Sequence, residues 1–153
     1  MIMADRLHGA LAAEHAAIFG YGIAGARLDG PLLEAARQAE TAHRARRDAL
    51  LALGAGGTPP PAEAAYALPF PVTDAPSALR LAVHLEERSA AAWRYALGAT
   101  QRPASTGPSP SPTATPTGGD LRRLALDALV ASAVLATRWR IAAGMNPTTV
   151  PLP

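Results

Sequence analysis

The sequence predicts an all-α fold, a single bundle of four helices, and three observations carry that prediction. Alanine dominates and aromatic residues make up only 5% of the chain. Alanine loses no side-chain freedom on entering a helix, so such a composition favours helices over sheets. Four segments also repeat apolar residues at alternating spacings of three and four, the period of a helix that buries one stripe. Breaks rich in Gly and Pro separate those segments. The 153 residues are enough for one domain with a real core, and 1–153 is read as one domain.

The first helix is expected over about 4–28, broken by Asp29, Gly30 and Pro31. The second runs to Leu53 and stops at Gly54, the residue type expected just past a helix end. Residues 54–73 form a Pro-rich connection ending in "YALPFPV", in which Leu68, Phe70 and Val72 are placed to pack along the bundle as a strap. Asp74 is the expected N-cap of the third helix, with Pro76 in its first turn, where a missing N–H costs nothing. That helix is expected to end near Ala99. The stretch 100–119, mostly "QRPASTGPSPSPTATPTGG", has almost no apolar bulk and reads as a disordered linker inside the domain. Asp120 is the expected cap of the fourth helix, which ends before Gly144.

Composition excludes several function classes. The chain has no Cys, which rules out disulfides, thiol catalysis and cysteine-bound zinc. It has no Lys, and we read the Arg, Ala, Pro and Gly bias as the coding preference of a GC-rich genome. A net charge of +2 is too small for a dedicated nucleic-acid binder. Arg37, Arg44, Arg46 and Arg47 are interrupted by Glu34, Glu40 and Asp48, the pattern of a solvated, salt-bridged surface. No apolar run approaches the roughly 20 residues of a membrane span, and no leader is recognisable. The expectation is a cytoplasmic protein with neither nucleic acid nor membrane as partner. Gly-rich phosphate loops and nucleophile elbows are absent from the sequence.

The buried stripes carry acids. They read Leu7, Leu11, Glu14, Ile18, Tyr21, Gly25, Leu28 in the first helix and Leu33, Ala36, Glu40, His43, Arg47, Leu50 in the second. The third reads Leu79, Val83, Glu86, Ala90, Trp93, Leu97. The fourth reads either Leu121, Leu124, Ala128, Ala131, Leu135 or Leu124, Asp127, Ala131, Val134, Arg138, Ile141. Glu14 and His43 both lie about 22 Å from the first turn, at ~1.5 Å per residue. If the long connection returns the chain to the same end, the second and third helices run parallel and Glu14, Glu40, His43 and Glu86 converge on one level. The fourth helix offers Ala133 and Val134 at that level, and neither ligates metal.

Several acids buried together need compensation, because each isolated ion costs several kcal/mol. Fe, Mn or Zn suits carboxylate and imidazole ligands. Arg47, one turn beyond His43, or Arg138 on the fourth helix would equally pair the acids in two-point hydrogen bonds, and Tyr21 is placed to bond a carboxylate. Trp93 and Trp139 read as packing residues.

A short hairpin, a long crossover and a second helix pair is the ferritin-like arrangement, in which a two-metal centre takes a Glu from each of two helices and Glu-x-x-His from the other two; a simple up-down bundle is the alternative topology. The stretches "AAEHAAIFGYG", "HRARRDAL", "YALPFPV", "LEERSAAAWR" and "TRWRIAAGMNPTTV" resemble an uncharacterised actinobacterial family of ferritin-like helical proteins. The resemblance implies a four-helix ferritin-like bundle, self-association as a dimer, and no particular activity. Ligand roles from the wider superfamily carry over to Glu14, Glu40, His43 and Glu86 alone. Two expectations follow. One is a structural or binding module whose metal site has become a buried Glu/His/Arg network, with no cofactor. The other is a carboxylate protein binding Fe, Mn or Zn, an oxidase-like or metal-storing one.

Overall fold

The computed structural model describes residues 2–54, 58–59, 61–100 and 118–148. Among these the chain forms α1 (Ile2–Gly25), α2 (Gly30–Ala52), α3 (Ala75–Ala99) and α4 (Gly118–Ala142), with no strand. The stretch expected to be disordered lies largely in 101–117, outside the described residues.

Local chemistry accounts for most of the helix ends. Gly30 opens α2 at φ +53 and Gly54 follows it at φ +59, a backbone region that side chains disfavour. Asp74 caps α3 as expected: its carboxylate accepts from the Ser77 amide at 2.9 Å, and the Ser77 hydroxyl accepts from the Asp74 amide at 3.1 Å. Two boundaries depart from expectation. Helix α1 ends at Gly25 rather than Leu28, because the Arg27 and Leu28 amides turn back to the Ala24 and Gly25 carbonyls. Helix α4 starts at Gly118, so Asp120 sits inside its first turn instead of capping it.

Two apolar clusters fix the helix directions. One joins Leu28 in the turn just past α1, Ala36 near the start of α2, Ala78 and Leu79 at the start of α3, and Trp139 near the end of α4. The other joins Leu7, Leu50, Trp93 with Ala96, and Leu121 from the opposite ends of the same helices. Helices α2 and α3 therefore run parallel, α1 and α4 antiparallel to both. Helix α1 packs on α2 and α3, α4 packs on α3, and α2 meets α4 only sparsely. The connection before α3 makes the crossover: Val72 is buried, and Leu68 and Phe70 pack against the first cluster as the expected strap.

The stripe phases differ from expectation in three helices. In α1 the buried residues include Ala17 and Ala24 in place of the expected Ile18 and Gly25. In α2 the buried residues are Ala36, Ala39, His43, Arg46 and Leu50, not the series through Glu40 and Arg47. In α4 they are Leu121, Ala125, Ala128, Leu129, Ser132, Ala136, Trp139 and Arg140. Val134, Arg138 and Ile141 face outward.

Candidate functional site

Between the two apolar clusters lies a polar belt to which every helix contributes. Glu14, His43 and Glu86 are each 0% exposed. His43 stands between the two acids: its Nδ1 is 2.7 Å from Glu14 Oε2 and its Nε2 is 3.1 Å from Glu86 Oε1. The convergence of Glu14, His43 and Glu86 on one level therefore holds.

Donors surround both carboxylates. Ser89 donates to Glu14 Oε1 at 2.9 Å, and the Trp93 indole N–H donates to the same oxygen. Tyr21 donates to Glu86 Oε1 at 2.6 Å while accepting from the Trp139 indole at 2.8 Å. Arg46 donates to Ser132 at 2.9 Å, and Ser132 donates to Ser89 at 3.3 Å. One chain of hydrogen bonds thus runs from Arg46 through Ser132 and Ser89 to Glu14, on through His43 to Glu86, and out through Tyr21 to Trp139.

A neutral imidazole has one N–H and one lone pair. Both His43 nitrogens face carboxylate oxygens, so the neutral ring would turn a lone pair on an acid. The geometry calls for the imidazolium, donating on both sides. Burial alone would lower the His43 pKa, but the hydrogen bonds and charges of Glu14 and Glu86 override it and raise the ring to about 9. Burial alone would likewise raise Glu14, yet the His43 contact, the Trp93 hydrogen bond and the Arg46 charge hold it below the usual carboxylate range. Burial, then the charge on Glu86, pushes Tyr21 well up, which keeps its hydroxyl a donor. Two cations, His43 and Arg46, balance two anions, and the belt is neutral overall. One atom is left over: Glu86 Oε2 is buried without a hydrogen-bond partner.

Three expected site residues lie elsewhere. Glu40 is turned out of the belt and accepts from Arg44 at 2.6 Å, because the α2 stripe passes through Ala39. Arg47 pairs with its neighbour Asp48 at 2.8 Å, and Arg46 takes the buried role assigned to it. Arg138 is exposed, one residue short of the buried Trp139. His15 is half-buried and outside the network; burial, then the charge of Arg47, lowers its pKa. The sequence pattern places Arg46 on a solvated surface and gives Ser89 and Ser132 no role. Their signal was spacing: Arg46 and Ser89 each follow a site residue by three, and Ser132 precedes Trp139 by seven. As ligands for a metal pair the set is incomplete, since α2 offers His43 without Glu40 and α4 offers a serine.

Residues 6–106 match the model of a domain of unknown function, DUF4439. The chain belongs to that family. A solved structure of a conserved hypothetical protein, rv2844, from Mycobacterium tuberculosis is 36% identical and superposes with a TM-score of 0.75, over 92% of this chain and 96% of that one. No curated protein is similar to the chain. Family and neighbour thus agree on an all-helical bundle of unknown activity. No helix among the described residues is long and apolar enough to cross a membrane.

Proposed function

We propose that this chain is a ferritin-like bundle serving as a structural or binding module, with a charge-neutral Glu/His/Arg network where its relatives by fold would hold metal. One observation carries the reading: both nitrogens of His43 are spent on carboxylates, one from α1 and one from α3. An imidazole that ligates a metal must present a lone pair to it, and the imidazolium has none. Helix order supports the ferritin-like assignment, since a short α1–α2 turn, a long crossover and parallel α2 and α3 match that arrangement. The mycobacterial neighbour supports an actinobacterial origin.

The orphaned Glu86 Oε2 favours a second reading, in which Glu86 and the neutral His43 Nε2 facing it hold one Fe, Mn or Zn ion while Glu14 accepts from His43 Nδ1. Elemental analysis of protein purified without chelator, before and after incubation with each metal, separates the two. The network reading expects well under one ion per chain in every case. Stoichiometric metal that is lost in His43→Ala and kept in Glu40→Ala would overturn it.

A further inference from the structure

The sparse contact between α2 and α4 leaves a groove of about 340 Å³ on the side of the bundle away from α1 and α3. Leu32, Ala35, Ala39 and Ala42 form the α2 wall; Leu135, Trp139 and Ala142 form the α4 wall. Both sets alternate steps of three and four, so each presents one continuous helix face. Beyond Leu32 the α2 wall is alanine alone, which leaves space between the axes. Gln38 and Arg138 are the polar residues that line the groove. The Gln38 amide donates to Glu34 at 3.1 Å. Arg138 is exposed and forms no ion pair within the described residues.

We propose that this groove binds a single-chain amphiphilic monocarboxylate, with its apolar tail along the alanine wall and its carboxylate on Arg138. The lining selects the chemistry. An apolar floor beside one unpaired cation suits a ligand with one apolar end and one anionic end. The guanidinium fork matches a carboxylate in two parallel hydrogen bonds. The volume is near the lower bound of small-molecule sites, about 300 Å³, which admits one chain and not a two-chain lipid. The groove shares only Trp139 with the belt; neither carboxylate of the network, nor His43, nor Arg46 lines it, and the proposal survives either outcome of the metal test.

Decanoate below its micellar concentration is the probe, with 1-decanol and decyltrimethylammonium as controls of matching tail. Trp139 lines the groove and Trp93 is the one other tryptophan, so indole fluorescence reports binding and calorimetry gives the stoichiometry. One decanoate per chain is expected, with decanol weaker and the cationic control weakest. Arg138→Ala should weaken decanoate about tenfold or more, the loss of one charge-assisted pair, and leave decanol unchanged. Ala42→Leu, which fills the groove from a half-buried position, should weaken both, and thermal melts confirm that each variant is folded. Equal affinity for decanoate and decanol, undiminished decanoate binding by Arg138→Ala, or no saturable binding overturns the proposal. So does a dimer in sedimentation whose formation excludes decanoate, because a second copy would then be the occupant.

Discussion

His43 holds two acids apart with one ring, and its charge ties the fold to pH. An unfolded histidine titrates near 6.5, whereas this one is raised to about 9. Stability from the raised group is fully present below the unfolded value and disappears as pH climbs through the folded one. At ~1.4 kcal/mol per unit, a rise from 6.5 to about 9 amounts to about 3 kcal/mol. The acid side has the opposite sign. Glu14 is lowered, so its contribution is present above the ordinary carboxylate range and fades as pH falls through the depressed value. The melting temperature should therefore hold level around pH 5–6.5 and decline from about pH 7 to 10. The chain has no Lys, which leaves few other groups to titrate in that interval. A scan of His43→Gln should lack the alkaline decline. An unchanged decline in that variant would show that the imidazolium is not its source.

The phase of α2 decides which arginine matters. Positions 36, 43 and 50 are shared by the expected stripe and the observed one; only the intervening pair shifts, from Glu40 and Arg47 to Ala39 and Arg46. Arg46 is buried against Ser132, so Arg46→Ala removes a cation from a balanced interior and should destabilise by about 2–3 kcal/mol. Arg47→Ala breaks a surface pair with Asp48 and should lose less than about 1 kcal/mol. Urea unfolding of the two variants separates the phases, and the reverse order would restore the expected stripe. The same comparison shows what sequence could and could not deliver. Axial height accumulates over many residues, so a one-position error in phase hardly moves it, and Glu14, His43 and Glu86 were legible on that ground. Phase depends on contrast between bulky apolar and polar neighbours. Helix α2 has alanine at 35, 36, 39 and 42, and arginine at both 46 and 47, so contrast is weakest where it was needed. Helix α4 has the same fault, and only its seven-residue spacing from Trp139 marks Ser132, in the alanine-rich middle, as a link of the relay.

Across the whole molecule, the belt separates two apolar clusters that contain opposite ends of all four helices. Either cluster alone is indifferent to a helix sliding by one turn, because leucine and alanine repeat along every stripe. The belt is not indifferent. Its hydrogen bonds pair particular atoms of different helices, and a slide of one turn, ~5.4 Å, would break them all at once. Its charges act as a set rather than as pairs, and that makes the belt testable by double substitution. His43→Leu leaves Glu14 and Glu86 against Arg46 alone, one buried anion in excess, and should destabilise by about 3–5 kcal/mol. Adding Glu86→Leu removes the excess anion and restores a one-to-one balance between Glu14 and Arg46. Tyr21 then lacks its acceptor, which returns about 1 kcal/mol of the gain. The double variant should still be more stable than His43→Leu by about 1–2 kcal/mol, within the range of coupling between residues of one network. Midpoints of urea unfolding for wild type, both singles and the double measure the coupling. A double variant less stable than His43→Leu would mean that an unbalanced Glu86 charge is not what His43→Leu costs, and that neutrality of the belt is not what keeps four helices in register.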